Sequence, residues 1–143
     1  MVKDIFNHFR KMEDGSVYVG NHLILDLWGI ENNKFSEGDL VHQFSLACQD
    51  AGATVLSEHV HEFGEECGTT GVVVLAESHL SWHHYPEVNY IAIDIFMCGN
   101  ADPLKAVPRI LQYLKPTRKT TDLIRRGVLN NPVEYIVDIK SLT

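Results

Sequence analysis

Two apolar runs rich in β-favouring residues, 71–76 (GVVVLA) and 90–97 (YIAIDIFM), constrain this chain more than any other feature. Their length and composition read as strands, because runs this short and this rich in branched side chains suit an extended backbone. The unbroken apolar stretch at 71–76 predicts a central strand covered on both faces. Between the two, residues 79–85 (HLSWHHY) alternate in strand fashion until Pro86 ends them. Residues 21–28 (NHLILDLW), closed by Gly29, and 53–60 (ATVLSEHV) carry the same signal. Two further candidates, 119–125 and 133–139, flank the Asn130-Asn131-Pro132 turn. Several links are of hairpin length, whereas parallel neighbours need a crossover of a dozen or more residues. A mainly antiparallel sheet follows.

Two helices interrupt the strands. Ser36 with Glu37, Gly38 and Asp39 has the character of an N-cap and an acidic first turn, and Leu40, Val41, Phe44, Leu46, Ala47 and Cys48 follow at near-helical spacing up to Gly52. Asp102-Pro103 opens the second, which runs through Leu104, Ala106, Val107, Ile110, Leu111 and Leu114. Pro108 is expected to kink or shorten it, and Lys115-Pro116 closes it. Residues 1–19 are weakly patterned around a Glu13-Asp14-Gly15-Ser16 turn and read as an N-terminal extension lying on the domain. The expected fold is α+β, a two-layer sandwich of mainly antiparallel sheet with helices packed on one face. An open second face needs cover, which points to a symmetric homodimer.

At 143 residues the chain suits a single domain, 1–143, with one core. With 45% hydrophobic and 22% charged residues it has the profile of a folded globular protein. Its net charge of -7 argues against non-specific nucleic-acid binding, which needs a basic surface, and is compatible with a cationic small substrate. The start has no long apolar core of a signal peptide and no run is long enough for a membrane span, so a cytoplasmic location is expected. The three cysteines, Cys48, Cys67 and Cys98, are odd in number and lack Cys-x-x-Cys spacing, which indicates neither a disulfide framework nor a zinc knuckle.

The densest chemical signal lies between Thr69 and Cys98. A buried apolar strand running straight into Glu77-Ser78-His79 would hold a serine hydroxyl on a stiff framework, as a nucleophile requires. Equally, Ser78 could simply end the strand, with His79 and His83 as ordinary strand residues. His59, His61, Cys67, His79, His83, His84 and Cys98 include enough nitrogen and sulfur donors for a metal, but no spacing matches a zinc motif, and no metal site is expected. Ala76-Glu77-Ser78-His79-Leu80 lacks both glycines of a hydrolase elbow. A thiol enzyme built on Cys98 with His83 is a further chemical possibility.

Residues 70–83 (TGVVVLAESHLSWH), then Pro86-Glu87, then 92–99 (AIDIFMCG) closely resemble the short prokaryotic S-adenosylmethionine decarboxylase proenzymes. The likeness spans roughly Gly20 to Gly127 and includes Gly20-Asn21-His22-Leu23 and Ala51-Gly52-Ala53-Thr54. The resemblance implies self-cleavage between Glu77 and Ser78 into a β chain, 1–77, and an α chain, 78–143, that begins with a pyruvoyl group made from Ser78. That group is the implied cofactor, forming a Schiff base with the amine of S-adenosylmethionine and acting as an electron sink. Spermidine biosynthesis would use the product. The resemblance also implies a homodimer with sites at the subunit boundary.

Residue roles carry over by position. His83, five residues after the serine, matches the histidine that moves protons during processing, with neighbouring His84 a competing candidate. Cys98, twenty residues after the serine, matches the proton donor of the decarboxylation. Thr70 stands where the family usually has a processing serine; it keeps the hydroxyl but adds a methyl that restricts χ1. Glu87 matches a glutamate that binds the ribose hydroxyls. Phe63 matches an aromatic that stacks on adenine and favours the sulfonium, in an alignment that needs one inserted residue. Two departures bear on substrate: His83-His84-Tyr85-Pro86-Glu87 replaces the usual His-Thr-Trp-Pro-Glu, and the loop 64–68 (GEECG) carries two extra acids. Relatives of this family act on arginine or ornithine, which keeps those substrates as alternatives beside a non-catalytic paralogue.

Overall fold

The computed structural model describes residues 9–32, 34–64 and 66–129. Its seven strands are β1 (Arg10–Lys11), β2 (Val17–Ile30), β3 (Thr54–Glu62), β4 (Thr69–Ala76), β5 (Ser78–Tyr85), β6 (Tyr90–Cys98) and β7 (Pro116–Val128). They form one sheet in the order β1-β2-β6-β5-β4-β3, with β7 also paired to β2. Every pairing is antiparallel. Helices α1 (Glu37–Asp50) and α2 (Val107–Leu114) cover one face, completing the expected two-layer α+β arrangement.

The strand period decides which face each residue joins. Leu23, Leu25 and Leu27 of β2, Ile91, Ile93, Ile95 and Met97 of β6, and Leu80 and Trp82 of β5 point toward the helices and are buried. They meet Leu40, Phe44 and Ala47 of α1 and Ile110 and Leu114 of α2 in one core. Fully burying a side chain of this kind stabilises by about 1.5–3 kcal/mol, so this layer dominates the fold's stability. Trp82 is the largest fully buried side chain and meets Phe44 edge-on at 5.0 Å. A Cβ at Gly71 would overlap the Trp82 ring, so glycine makes room for the indole between β4 and α1.

Local signals explain the helices. The Ser36 hydroxyl accepts a hydrogen bond from the Asp39 amide at 3.1 Å, capping α1, while Glu37 and Asp39 place negative charge in its first turn. Pro108 does shorten the second helix: Pro103–Ala106 is a 3-10 turn, and α2 begins at Val107.

Three expectations change. β4 is not central but lies between β3 and β5, and its residues alternate between the buried face and a half-buried one. Val73 is buried toward the helices, whereas Val72 and Val74, on the face away from them, are half-buried. Residues 17–19 belong to β2, and Arg10–Lys11 pairs with Val17 and Tyr18, so this part of the N-terminal segment is sheet and not a separate extension. The candidate strand at 133–139 lies outside the described residues.

Candidate active site

The face of the sheet away from the helices carries the polar chemistry. β5 begins at Ser78, immediately after the exposed Glu77. Ser78 has φ 104, a region that side-chain-bearing residues rarely adopt and that concentrates at functional positions. Its Oγ lies 3.1 Å from Sγ of Cys98, the last residue of β6. Register alone does not account for the contact: Ser78 pairs with Met97, whose side chain faces the helices, and the contact with Cys98 on the other face is made by a serine whose positive φ departs from strand geometry. The pair is half-buried, which keeps hydroxyl and thiol together at the edge of solvent.

A second group sits farther along the same strand. Thr70 pairs with His83 across β4 and β5, and Thr70 Oγ1 is 2.8 Å from His83 Nδ1. Beside them Phe63, Cys67, His84, Tyr85 and Glu87 help line a cavity of about 280 Å³. The exposed Phe63 ring is met edge-on by His61 at 4.7 Å. An adjoining hollow of about 580 Å³ shares Thr69 and His84 and adds Glu37, Glu62 and Glu66. Burial raises the Glu37 carboxyl above its ordinary range, and the nearby Glu62 charge adds to this against a hydrogen bond from Thr69. Burial lowers His84, with the Glu87 charge opposing, so its imidazole is favoured in the neutral form.

The fold thus unites Ser78 with Cys98, and Thr70 with His83, Phe63 and Glu87, but keeps the two groups apart within the chain. Ser78 is the first residue of β5 and His83 the sixth. At about 3.3 Å per residue their Cα atoms are about 16 Å apart. His79 turns to Phe96, meeting it edge-on at 6.3 Å. Cys48 is a core residue whose thiol burial pushes up to about 12, which leaves it inert at neutral pH. Among the described residues no three histidine, cysteine, aspartate or glutamate side chains are grouped to hold a metal ion. Nor does any helix among them have the length and apolarity to cross a membrane.

His22 and Arg126 join this face without any chemical signal of their own in the sequence. His22 Nε2 is 2.9 Å from Asp94 Oδ1, and Arg126 Nη1 is 3.4 Å from His22 Nδ1. The guanidinium lies 5.0 Å over the Phe96 ring. These residues come from β2, β6 and β7, and only strict alternation along those strands could have placed them on one face. Elsewhere on it Trp28 stacks on Tyr90 at 5.4 Å and Tyr90 on Tyr85 at 5.6 Å.

An antiparallel sheet backed by helices on one face, with a serine and a cysteine in contact where a strand begins on the other, defines a class of small α+β enzymes with an open-faced site. Within that class the chain belongs to the S-adenosylmethionine decarboxylase family, whose model matches residues 21–127. An S-adenosylmethionine decarboxylase proenzyme of Methanococcus maripaludis is 38% identical over 113 residues, covering 78% of this chain and 92% of the relative. One from Caldicellulosiruptor saccharolyticus is 36% identical over 118 residues, covering 81% and 94%. The crystal structure of the adenosylmethionine decarboxylase from Aquifex aeolicus superposes with a TM-score of 0.70 at 32% identity, covering 79% of this chain and 94% of that one.

Proposed function

We propose that this chain is a self-processing, pyruvoyl-dependent decarboxylase of S-adenosylmethionine that acts as a cytoplasmic homodimer and supplies the aminopropyl donor for spermidine synthesis. The observation that carries this reading is the 3.1 Å contact between Ser78 Oγ and Cys98 Sγ, directly after Glu77, in a chain of this family. In processing, Ser78 Oγ attacks the Glu77 carbonyl carbon, the Glu77–Ser78 amide bond breaks, and an ester replaces it. β-Elimination then releases the β chain with a carboxylate at Glu77, and loss of ammonia by hydrolysis leaves a pyruvoyl group at position 78. His83 accepts and returns the protons of these steps, and the Thr70 hydroxyl orients its ring.

The residues around position 78 fit such a group, because a thiol already touches the side chain of the serine from which it is made. A pyruvoyl ketone condenses with an amine and takes up the electron pair released with carbon dioxide. Cys98 holds a proton at Sγ for delivery to the α carbon. Glu87 hydrogen-bonds the ribose hydroxyls and Phe63 stacks on adenine, while Glu37, Glu62 and Glu66 make the approach favourable for a cationic substrate.

Dimerisation resolves the separation of the two groups. With the open faces of two protomers opposed, Thr70 and His83 of one serve Ser78 and Cys98 of the other, and the exposed row of Trp28, Tyr90 and Tyr85 is covered. The test is intact mass under denaturing conditions for the wild type and Ser78→Ala. Two fragments, 1–77 and 78–143 with a borohydride-reducible end, are expected from the wild type, and one uncut chain from the variant. A wild type that stays whole, or no carbon dioxide from S-adenosylmethionine, would refute the reading.

A further inference from the structure

The proposed reaction begins with a substrate carboxylate, yet Ser78, Cys98, Thr70, Phe63 and Glu87 include no cation to receive one. One arginine on the open face stands in register with the Ser78–Cys98 pair. Gly20 pairs with Cys98 on one side and with Arg126 on the other, so the three share a row across β6, β2 and β7 and, by the pleat, one face. Two strand spacings, about 9.6 Å, separate the Cα atoms of Arg126 and Cys98, within the reach of an arginine side chain directed along the row. Gly20 keeps that path clear. A Cβ there would lie 3.1 Å from Cys98 Sγ and collide with the Met97 carbonyl oxygen.

The guanidinium is also held. An arginine N–H only donates, so His22 Nδ1 accepts from Arg126 and His22 Nε2 carries the proton donated to Asp94. This arrangement makes the His22 ring, anchored by Asp94, the post against which Arg126 rests. Phe96 lies beneath the guanidinium and is two residues from Cys98 on the same strand face. Among the described residues His22 engages one of the five guanidinium donors, which leaves the planar fork that suits a carboxylate.

We infer that Arg126 binds the α-carboxylate of the amino-acid substrate, with His22 as its positioning residue and Gly20 as the opening across which it reaches the reacting carbon. The inference rests on the decarboxylase reading above. The carboxylate gives up its charge as carbon dioxide leaves, so a contact to it is stronger in the bound substrate than in the transition state. Losing such a contact raises KM without lowering kcat.

The experiment compares processed wild type with Arg126→Gln, Arg126→Lys and His22→Asn. It measures kcat and KM for S-adenosylmethionine and Ki for its decarboxylated product, which lacks only the carboxylate. Arg126→Gln is expected to raise KM roughly tenfold to a hundredfold, as for a lost charged hydrogen bond, with Ki unchanged. Arg126→Lys should recover part of the affinity, and His22→Asn should raise KM severalfold, again without moving Ki. If KM and Ki rise together, or if neither moves in Arg126→Gln and His22→Asn alike, the assignment of Arg126 is overturned. Those outcomes presuppose an active wild type; an uncut or inactive wild type overturns the decarboxylase reading itself, and this inference with it.

Discussion

Thr70 Oγ1 lies 2.8 Å from His83 Nδ1, and this bond joins two residues that are directly opposed on neighbouring strands. A hydroxyl in that position selects the ring's orientation and so decides which nitrogen is presented to a reacting group. Thr70→Ala should therefore slow self-cleavage by about a hundredfold or more, the scale of a lost proton-transfer partner. Thr70→Ser keeps the hydroxyl, frees χ1 and should process at least as fast as wild type. Time courses on denaturing gels distinguish the two.

Mixed dimers test whether His83 acts across the subunit boundary. Ser78→Ala and His83→Ala chains are each expected to stay uncut alone. When co-expressed, the His83→Ala chain should be cleaved, because its intact Ser78 meets the partner's intact His83. Mass spectrometry of differently tagged chains reads the outcome, and cleavage confined to wild-type homodimers would exclude the shared site.

Cys98 and Ser78 separate processing from turnover. Cys98→Ala leaves the Ser78 hydroxyl and the Glu77 carbonyl intact, so cleavage should proceed while kcat falls about a hundredfold to ten-thousandfold. The measurement is carbon dioxide release per mole of cleaved chain.

Glu37 makes stability depend on pH. Burial raises its folded pKa above the ordinary 4.5, so its contribution is most favourable below that value and is lost as pH rises through the raised folded value. Its Oε2 is buried with no hydrogen-bond partner among the described residues. Glu37→Gln is therefore expected to raise Tm at pH 7 relative to wild type and to remove part of the decline above pH 4.5, by thermal melts across that range.

Gly71 packs directly beneath the Trp82 ring. Trp82→Ala should cost about 3–5 kcal/mol in urea unfolding. Gly71→Ala forces a methyl into the indole and should cost about 1–3 kcal/mol. Since Trp82 precedes His83 on β5, both should also slow self-cleavage.

Much of this architecture follows from short-range pattern. The apolar runs at 71–76 and 90–97 become β4 and β6 because branched side chains at that length suit a pleated surface, and the hairpin-length links leave antiparallel pairing as the available arrangement. Pro108 sits in the first turn of α2, just after the 3-10 turn, for the local reason that it has no amide proton to donate. The Glu77-Ser78-His79 junction was visible as a nucleophile candidate, and its likeness to a family pointed to Cys98.

Tertiary structure decided the rest, because register couples residues that no local pattern relates. Only the folded sheet sets Ser78 beside the end of β6 with the positive φ that accompanies its contact with the Cys98 thiol, and the run of β5 holds the His83 Cα about 16 Å from that of Ser78. The same register aligns Arg126, Gly20 and Cys98 across three strands and sets His22 between Arg126 and Asp94. A strand fixes which face each residue shares, but its neighbours are set by how whole strands slide past one another. That choice belongs to the packed sheet, whose buried leucines and isoleucines would all turn outward at a slip of one residue.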